Sequence, residues 1–168
     1  MLDNTKYANK LVAKHHRLVQ YSNFESIGNG FMLVYIFPTE YQTMAAAVEK
    51  MREEVALNRK TMATSYPENA YMSIIEDGYA EIFYQDEKGK RHVTDQFYIS
   101  PVEAYEKTGE NGQVVHTWTY RRKLISVNKQ KNRYFIEGCT GGIRRRHTLK
   151  AALEFIDRDE LNRTEGKC

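Results

Sequence analysis

The sequence predicts an α+β fold with mainly antiparallel strands and helices packed on one face. Three observations indicate it. The Asp77-Gly78 pair lies between two apolar segments and is the favoured signal of a two-residue hairpin. The run Phe31–Phe37 is continuously apolar, as in a strand buried on both faces. Apolar residues recur elsewhere at helical spacing, and 168 residues suit one domain, or one domain with a small appendage.

The first element is predicted to be a helix over residues 4–21, because apolar side chains recur there at i, i+3 and i+4 spacing. Asn4 or Thr5 is its predicted N-cap. Residues 23–30 have no period and contain two glycines, which predicts a loop before the apolar strand. The helical stripe consists of Ala8, Leu11, Val12, His15, Leu18 and Val19.

A second, longer helix is predicted after the apolar strand. Pro38 ends the strand, and Thr39 is the predicted N-cap, with Glu40 in the first turn. The helix is predicted to fade near residues 58–61. Its apolar stripe consists of Tyr41, Met44, Ala45, Val48, Val55 and Ala56.

Three strands are predicted next, over residues 70–76, 79–85 and 92–99. They form a meander, because a tight turn separates each strand from the next. Pro101 at the first position predicts one short helical turn over residues 102–105. The polar turn at residues 108–112 is the best candidate for an internal boundary. We therefore expect an α+β core over residues 1–112 and a basic unit over residues 113–168, packed on the same core.

The basic unit is predicted to contain three strands followed by a helix. A long strand covers residues 114–127, a second covers 133–139, and a short third covers 143–146. Thr148 caps the last helix, which frays from residue 163. Leu149, Ala152, Leu153 and Ile156 form the apolar face of this helix, which would cover one face of the sheet and leave the other open.

Charge is distributed very unevenly along the chain. Residues 113–150 contain ten Lys/Arg and one acid, Glu137, a net charge of +9. The other 130 residues hold 15 basic and 21 acidic side chains, a net charge of −6. Such an asymmetry inside a folded segment indicates a surface for a polyanion or an acidic protein. The cations are Arg121, Arg122, Lys123, Lys129, Lys131, Arg133, Arg144, Arg145, Arg146 and Lys150.

The order of elements resembles the three-stranded-sheet-plus-helix modules of DNA-binding proteins, namely the AP2-type domain and the arm-binding domain of tyrosine recombinases. The resemblance lies in residues 133–137, 141–147 and 148–153, about a quarter of the chain. It implies that the open sheet face enters the major groove. Arg144–Arg146 and Arg121–Lys123 would then contact phosphates, and one or two of them would contact guanine edges.

The predicted binding surface also includes rings beside the cations. Alternation along one long strand places Trp118, Tyr120, Arg122 and Leu124 on one side, with Thr119, Arg121, Lys123 and Ile125 on the other. Two other interpretations stay open: an acidic protein partner, or a solvated sheet edge that keeps strands from pairing with other chains. The predicted binding residues are Trp118, Tyr120, Arg121, Arg122, Lys123, Lys129, Lys131, Arg133, Tyr134, Arg144, Arg145 and Arg146.

No motif indicates catalysis, a metal or a cofactor. His92-Val-Thr94 has the spacing of two-histidine phosphoesterases, but a second copy is missing. Residues 51–55 contain only part of a Nudix box. The glycines of residues 138–142 lack the Lys-Ser/Thr of a phosphate-binding loop. We therefore expect a non-catalytic binding protein.

The remaining sequence features concern compartment and partners. Two cysteines, Cys139 and Cys168, do not make a disulfide framework, and residues 1–4 lack the pattern of a signal peptide. No apolar run is long enough for a bilayer, so we expect a cytoplasmic protein without membrane contact. The small, Tyr-rich, Cys-poor chain resembles phage-encoded proteins that bind and block a host protease, nuclease or polymerase. Such an inhibitor or adaptor is the alternative to nucleic-acid binding.

Overall fold

The computed structural model confirms the α+β class. It describes residues 8–24, 30–37, 40–139 and 141–164. Antiparallel strands dominate this part of the chain, and two helices pack against them. The elements are β1 Lys10–Asn23, β2 Phe31–Ile36, α1 Met44–Ser65, β3 Met72–Glu76, β4 Tyr79–Gln85, β5 Arg91–Thr108, β6 Val114–Tyr120, β7 Lys123–Asn128, β8 Arg133–Glu137, β9 Arg144–Arg146 and α2 Leu149–Thr164.

The strands are hydrogen-bonded in the order β2-β1-β5-β6-β7-β8-β9, while β4 pairs with both β3 and β5. The chain divides into two compact units. The first unit comprises Met1–His15 and Pro101–Cys168, and the second comprises His16–Ser100. The boundary suggested at residues 108–112 lies at the end of β5 and in the turn to β6, inside the first unit.

The predicted first helix is wrong, because residues 10–23 form strand β1. Leu18, Val19, Gln20 and Tyr21 are four consecutive buried residues, so both faces of β1 are covered there. A strand buried on both faces shows no alternation, so its apolar residues can match a helical spacing by chance. The predicted caps, Asn4 and Thr5, lie outside the described residues.

The second unit is built around helix α1. The predicted N-cap Thr39 and its neighbour Pro38 lie outside the described residues, and α1 begins later, where Thr43 Oγ1 accepts from the Ala46 N–H at 3.1 Å. The helix also continues past the predicted end to Ser65. The meander is confirmed as β3, β4 and β5. The core contains Leu18, Phe37, Ala47, Met51, Val55, Ala80, Ile82, Phe97 and Ile99.

The helical turn predicted after Pro101 is also wrong, because β5 runs without interruption through this residue. Pro101 itself is exposed. From Val102 onwards β5 pairs with β6, in a register that matches Val102 with Tyr120 and Thr108 with Val114. Proline is tolerated in a strand where its missing N–H is not needed by the ladder. The seven residue pairs between β5 and β6 stabilise the strand by more than the local sequence favours the start of a helix.

The long strand predicted over residues 114–127 is two strands joined by a tight turn. Arg121 has φ of 46° and Arg122 has φ of 63°, and Tyr120 pairs directly with Lys123. Positive φ at both central residues is the geometry of the hairpin turns that match strand twist. The usual Asn-Gly signal is absent here, so the sequence did not reveal the turn.

Helix α2 covers one face of the sheet in the first unit, as predicted. Thr148 caps it, with its Oγ1 accepting from the Ala151 N–H at 3.0 Å. Directly paired residues lie on the same face of a sheet, so the register carries the covered face from β5 through to β9. The core between sheet and helix contains Val102, Tyr120, Ile125, Ile136, Cys139, Ala152, Leu153 and Ile156.

A buried carboxylate ties the β6–β7 hairpin to α2. Asp157 on α2 is fully buried, and its Oδ1 accepts from the Tyr120 Oη at 2.5 Å. The Arg121 Nε lies 3.8 Å from the same oxygen. A buried carboxylate is tolerated only when it is hydrogen-bonded or paired. These contacts fix the hairpin turn against the helix.

We predict that Tyr120→Phe lowers the free energy of unfolding by about 2 kcal/mol, because it removes a hydrogen bond to a buried charged group. Urea denaturation checks this through a lower midpoint at unchanged slope. Tyr105→Phe is the matched control, since the Tyr105 hydroxyl donates to Glu103 at a more accessible position. Equal shifts in the two variants would contradict the role of Asp157.

We predict that Arg122→Gly raises the free energy of unfolding by about 0.5–1 kcal/mol, because glycine adopts positive φ without a Cβ clash. Glycine within a strand has the opposite effect, so Arg133→Gly at the first residue of β8 should destabilise the protein. Thermal and urea denaturation of both variants measure the difference. A loss of stability in Arg122→Gly would argue against the left-handed turn.

Candidate functional site

The hairpin turn decides which of the predicted binding residues reach solvent. The predicted alternation through one long strand is wrong, because the turn places Tyr120 and Lys123 opposite each other on the face that α2 covers. Tyr120 is only 1 % exposed and Lys123 only 2 % exposed. Both side chains are therefore parts of the interior of the first unit.

Arg121 is also held inside the first unit. Its side chain is 10 % exposed, and its guanidinium carbon lies 5.6 Å from the centroid of the Tyr120 ring. Together with the 3.8 Å approach to Asp157, these contacts give Arg121 a structural role. Arg122, the next residue, is exposed at the tip of the same turn.

The two predicted aromatic residues outside the hairpin tip also lie on the covered face. Trp118 and Tyr134 are half-buried, their ring centroids are 5.8 Å apart, and both pack on the core under α2. Arg146 lies on the same face, with its guanidinium 4.3 Å from the centroid of the Phe155 ring of α2. Cation–π stacking of this kind holds the edge strand β9 against the helix.

A group of accessible cations lies in the β7–β8 turn and on β8 and β9. Lys129 and Lys131 are exposed in the turn, and Arg133 begins β8 as the pairing partner of Asn128. Arg145 on β9 pairs with Phe135 and is exposed. We call Lys129, Lys131, Arg133 and Arg145 the cationic end. Arg144 and Lys150 are also exposed, on β9 and in the first turn of α2.

Arg133 and Arg145 share the open face of the sheet, on the side away from α2. They are diagonal neighbours on adjacent strands, so their Cβ atoms are about 7–8 Å apart. The β7–β8 turn that carries the lysines is ordered by its own contacts. Asn132 has φ of 48°, and Asn128 Oδ1 accepts from the Lys131 N–H at 3.1 Å. The lysines therefore project from a fixed backbone.

The open face also carries two aromatic side chains that the sequence did not indicate as binding residues. The register aligns Tyr105, Thr117, Ser126, Phe135 and Arg145 in one row across β5 to β9. Phe135 lies two residues after Arg133, so the strand period of two predicts that both side chains lie on the same face. The position of Tyr105 on β5 could not be predicted in this way, because Pro101 favoured a helical turn there.

Acidic groups on the open face lie in a separate row. Glu103 pairs with Thr119, which pairs with Leu124, and Leu124 pairs with Glu137. The Lys14 Nζ lies 3.7 Å from Glu103 Oε1, and the hydrogen bond to Glu103 raises the pKa of the Tyr105 hydroxyl. The face is thus divided: Glu103 and Glu137 lie on one side of the aromatic row, Arg145 lies in the row, and Arg133 lies on its other side.

His92, whose spacing to Thr94 resembles that of phosphoesterases, has structural contacts. The Nε2 of His92 is 2.9 Å from Asp86 Oδ2, and its ring stacks on Tyr84 with centroids 4.9 Å apart. This hydrogen bond lowers the pKa of Asp86, whose other oxygen accepts two backbone N–H groups of the turn. His15 lies on strand β1. Among residues 8–24, 30–37, 40–139 and 141–164, no group of three or more His, Cys, Asp or Glu side chains could hold a metal ion.

Two further sequence features have simple structural explanations. Gly138 has φ of 92°, Gly141 and Gly142 also have positive φ, and these glycines connect β8 to β9. Thr140 lies outside the described residues. Cys139 is buried in the core of the first unit. Neither helix in the described part of the chain is both long and apolar enough to cross a membrane.

Comparisons of the chain with protein-family models, with curated proteins and with solved structures give no match.

Proposed function

We propose that this protein is a non-catalytic binding protein that holds nucleic acid on the sheet of its first unit. The observation that carries the proposal is the cationic end, which gathers four accessible cations on adjacent strands and their turn. Glu137 is the one acid that residues 113–150 contain, and it lies in the other row of the open face. Such a concentration of positive charge attracts a polyanion.

The arrangement of the cationic end suits a phosphate backbone. Lys129 and Lys131 project from an ordered turn, so little conformational entropy of the main chain is lost when they bind. Arg133 and Arg145 are neighbours on the open face, so one phosphate backbone can contact both. Arginine can bind a phosphate through two parallel hydrogen bonds, whereas lysine acts as a point charge.

Phe135 supplies a second type of contact. It lies in the aromatic row directly beside Arg145, and it is half-buried, so one part of its ring is accessible on the open face. Stacking of a base on an aromatic side chain beside cations is a common feature of single-strand recognition on open sheets. The proposal therefore includes single strands as well as duplexes as ligands.

We predict that binding of a duplex oligonucleotide weakens with salt with a slope of log K against log salt of about −4, one unit for each residue of the cationic end. The triple variant Lys129→Ala, Lys131→Ala, Arg145→Ala should reduce this slope to about −1 and weaken binding roughly 100-fold at 0.1 M salt. Fluorescence anisotropy at several salt concentrations measures both quantities.

The matched control removes three exposed cations from the second unit, as Arg52→Ala, Lys60→Ala, Lys88→Ala. It has the same net charge as the test variant, so its binding should stay near the wild-type value. A protein that ignores DNA and RNA at low salt, or an equal loss in both triple variants, would rule out the proposed surface.

Strand β2 favours a second candidate, the binding of another protein. Its six residues are apolar, and in the described part of the chain it pairs with β1 alone, at one end of the strand order. Met32, Val34 and Tyr35 are 42 %, 42 % and 49 % exposed. An apolar strand at the end of a sheet is a template for an extended segment of a partner chain. This candidate corresponds to the inhibitor or adaptor that the sequence left open.

We predict for this candidate that Met32→Lys with Val34→Lys abolishes the capture of one stoichiometric partner from a lysate, because charged side chains block pairing at an edge. The triple variant of the cationic end should still capture it. Retention of the partner by the β2 variant together with its loss in the triple variant would instead place an acidic protein on the cationic end.

A further inference from the structure

The second unit contains a pocket of about 540 Å³ that is separate from the cationic end. Its size is within the range of small-molecule sites, about 300–1,000 Å³. Strand β1 contributes Gln20 and Ser22, α1 contributes Asn58, the C-cap of α1 contributes Tyr66, β4 contributes Tyr84, and β5 contributes residues 92–95. Four elements of one compact unit therefore converge on it.

A buried carboxylate lines this pocket. Asp95 is 6 % exposed, and its Oδ1 accepts from Gln20 Nε2 at 3.1 Å and from Ser22 Oγ. Two donors fill the lone-pair positions of one carboxylate oxygen. None of the described residues donates a hydrogen bond to Oδ2. This oxygen is the acceptor that a ligand can use.

The carboxylate is held in place by a chain of amides. Gln20 Nε2 also donates to Asn58 Oδ1 at 3.3 Å, and Asn58 Nδ2 donates to the Glu54 carbonyl on α1 at 2.7 Å. These bonds link β1, β5 and α1 through polar groups. A site whose polar groups are held by their neighbours loses little freedom when a ligand binds.

The charge of the lining favours a cation. No Lys or Arg belongs to the described residues that line the pocket. The imidazole of His92 is engaged by the Asp86 carboxylate at 2.9 Å, which balances any positive charge on the ring. Asp95 is thus the lining group whose charge is uncompensated. An anionic ligand would be repelled, and a cationic ligand would form a charge-assisted hydrogen bond.

Aromatic rings form the rest of the wall. Tyr71 and Tyr84 are arranged edge to face with centroids 5.7 Å apart, and the Asn69 amide donates to the Tyr71 Oη at 3.2 Å. Tyr66, at the C-terminal end of α1, is 55 % exposed and also lines the pocket. The negative faces of such rings attract ammonium and guanidinium groups.

We propose that this pocket binds an organic cation, an ammonium or guanidinium group carried on an aliphatic chain. An N–H of the cation donates to Asp95 Oδ2, while the methylene groups lie against Met62 and the tyrosine rings. Two sources supply this chemistry, a free small amine or the side chain of a lysine or arginine in another protein. The inference does not depend on nucleic-acid binding, because no residue of the cationic end takes part.

Calorimetric titration of the full chain with 1,4-diaminobutane and with agmatine tests the proposal, with 1,4-butanediol as the neutral analogue. We expect 1:1 binding of at least one cation and binding of the diol at least about 30-fold weaker, since the diol lacks the charge. N-acetyl-lysine methylamide and N-acetyl-arginine methylamide form the second arm. Tighter binding of these blocked amino acids indicates a protein side chain as the source, and tighter binding of the diamines indicates a free amine.

Two variants connect the binding to the pocket. Asp95→Asn keeps the shape of the side chain and removes its charge, and it should weaken binding about 100-fold. Tyr66→Leu keeps apolar area and removes one aromatic face, which should weaken binding about fivefold. Tyr66 is largely exposed, so this variant stays folded even if Asp95→Asn does not.

Leu57→Ala is the control, because Leu57 is 59 % exposed on α1 and does not line the pocket. Its affinity should equal that of the wild type. The proposal is overturned if no cation of either arm binds at concentrations up to about 10 mM. It is also overturned if the diol binds as well as the diamine, or if neither Asp95→Asn nor Tyr66→Leu changes the affinity.

Discussion

The buried carboxylate of Asp157 is the constraint on which the first unit depends. It accepts from the Tyr120 hydroxyl and approaches the Arg121 guanidinium, so it fixes the β6–β7 hairpin to α2. Two arginines in left-handed conformations at this hairpin are locally unfavourable. The contacts made by Asp157 and by the core around it offset that cost, and they determine which side of the sheet each following residue occupies.

One consequence is that the positive charge of the basic stretch is divided between interior and surface. Arg121 and Lys123 are enclosed, and Arg146 stacks on a ring of α2. These three cations belong to the structure of the unit. The accessible charge is instead concentrated at the β7–β8 turn and on the open face of β8 and β9. A net charge counted along the chain cannot distinguish these two groups, because burial depends on the register of the strands.

The sequence predicted those parts of the fold that carry strong local signals. The Asp77-Gly78 hairpin and the helix capped by Thr148 follow from turn and capping chemistry, and the existence of the long helix α1 follows from its apolar stripe. Strand β1 was not predictable, because burial on both faces removes the alternation that identifies a strand. The turn at Arg121 was not predictable either, since arginine has no preference for positive φ and tertiary contacts impose it. Because this turn was not predicted, Tyr120, Arg121 and Lys123 were predicted as binding residues although they lie in the interior.

The cations of the first unit form an enclosed group and an accessible group, and we propose that the accessible group binds nucleic acid. Amine-selective acetylation of the native protein, read by mass spectrometry with and without a bound oligonucleotide, tests it most directly. We expect Lys123 to stay unmodified, Lys129 and Lys131 to be modified and then protected by the oligonucleotide, and Lys60 to react equally in both samples. Rapid modification of Lys123, or no protection of Lys129 and Lys131, would contradict the claim.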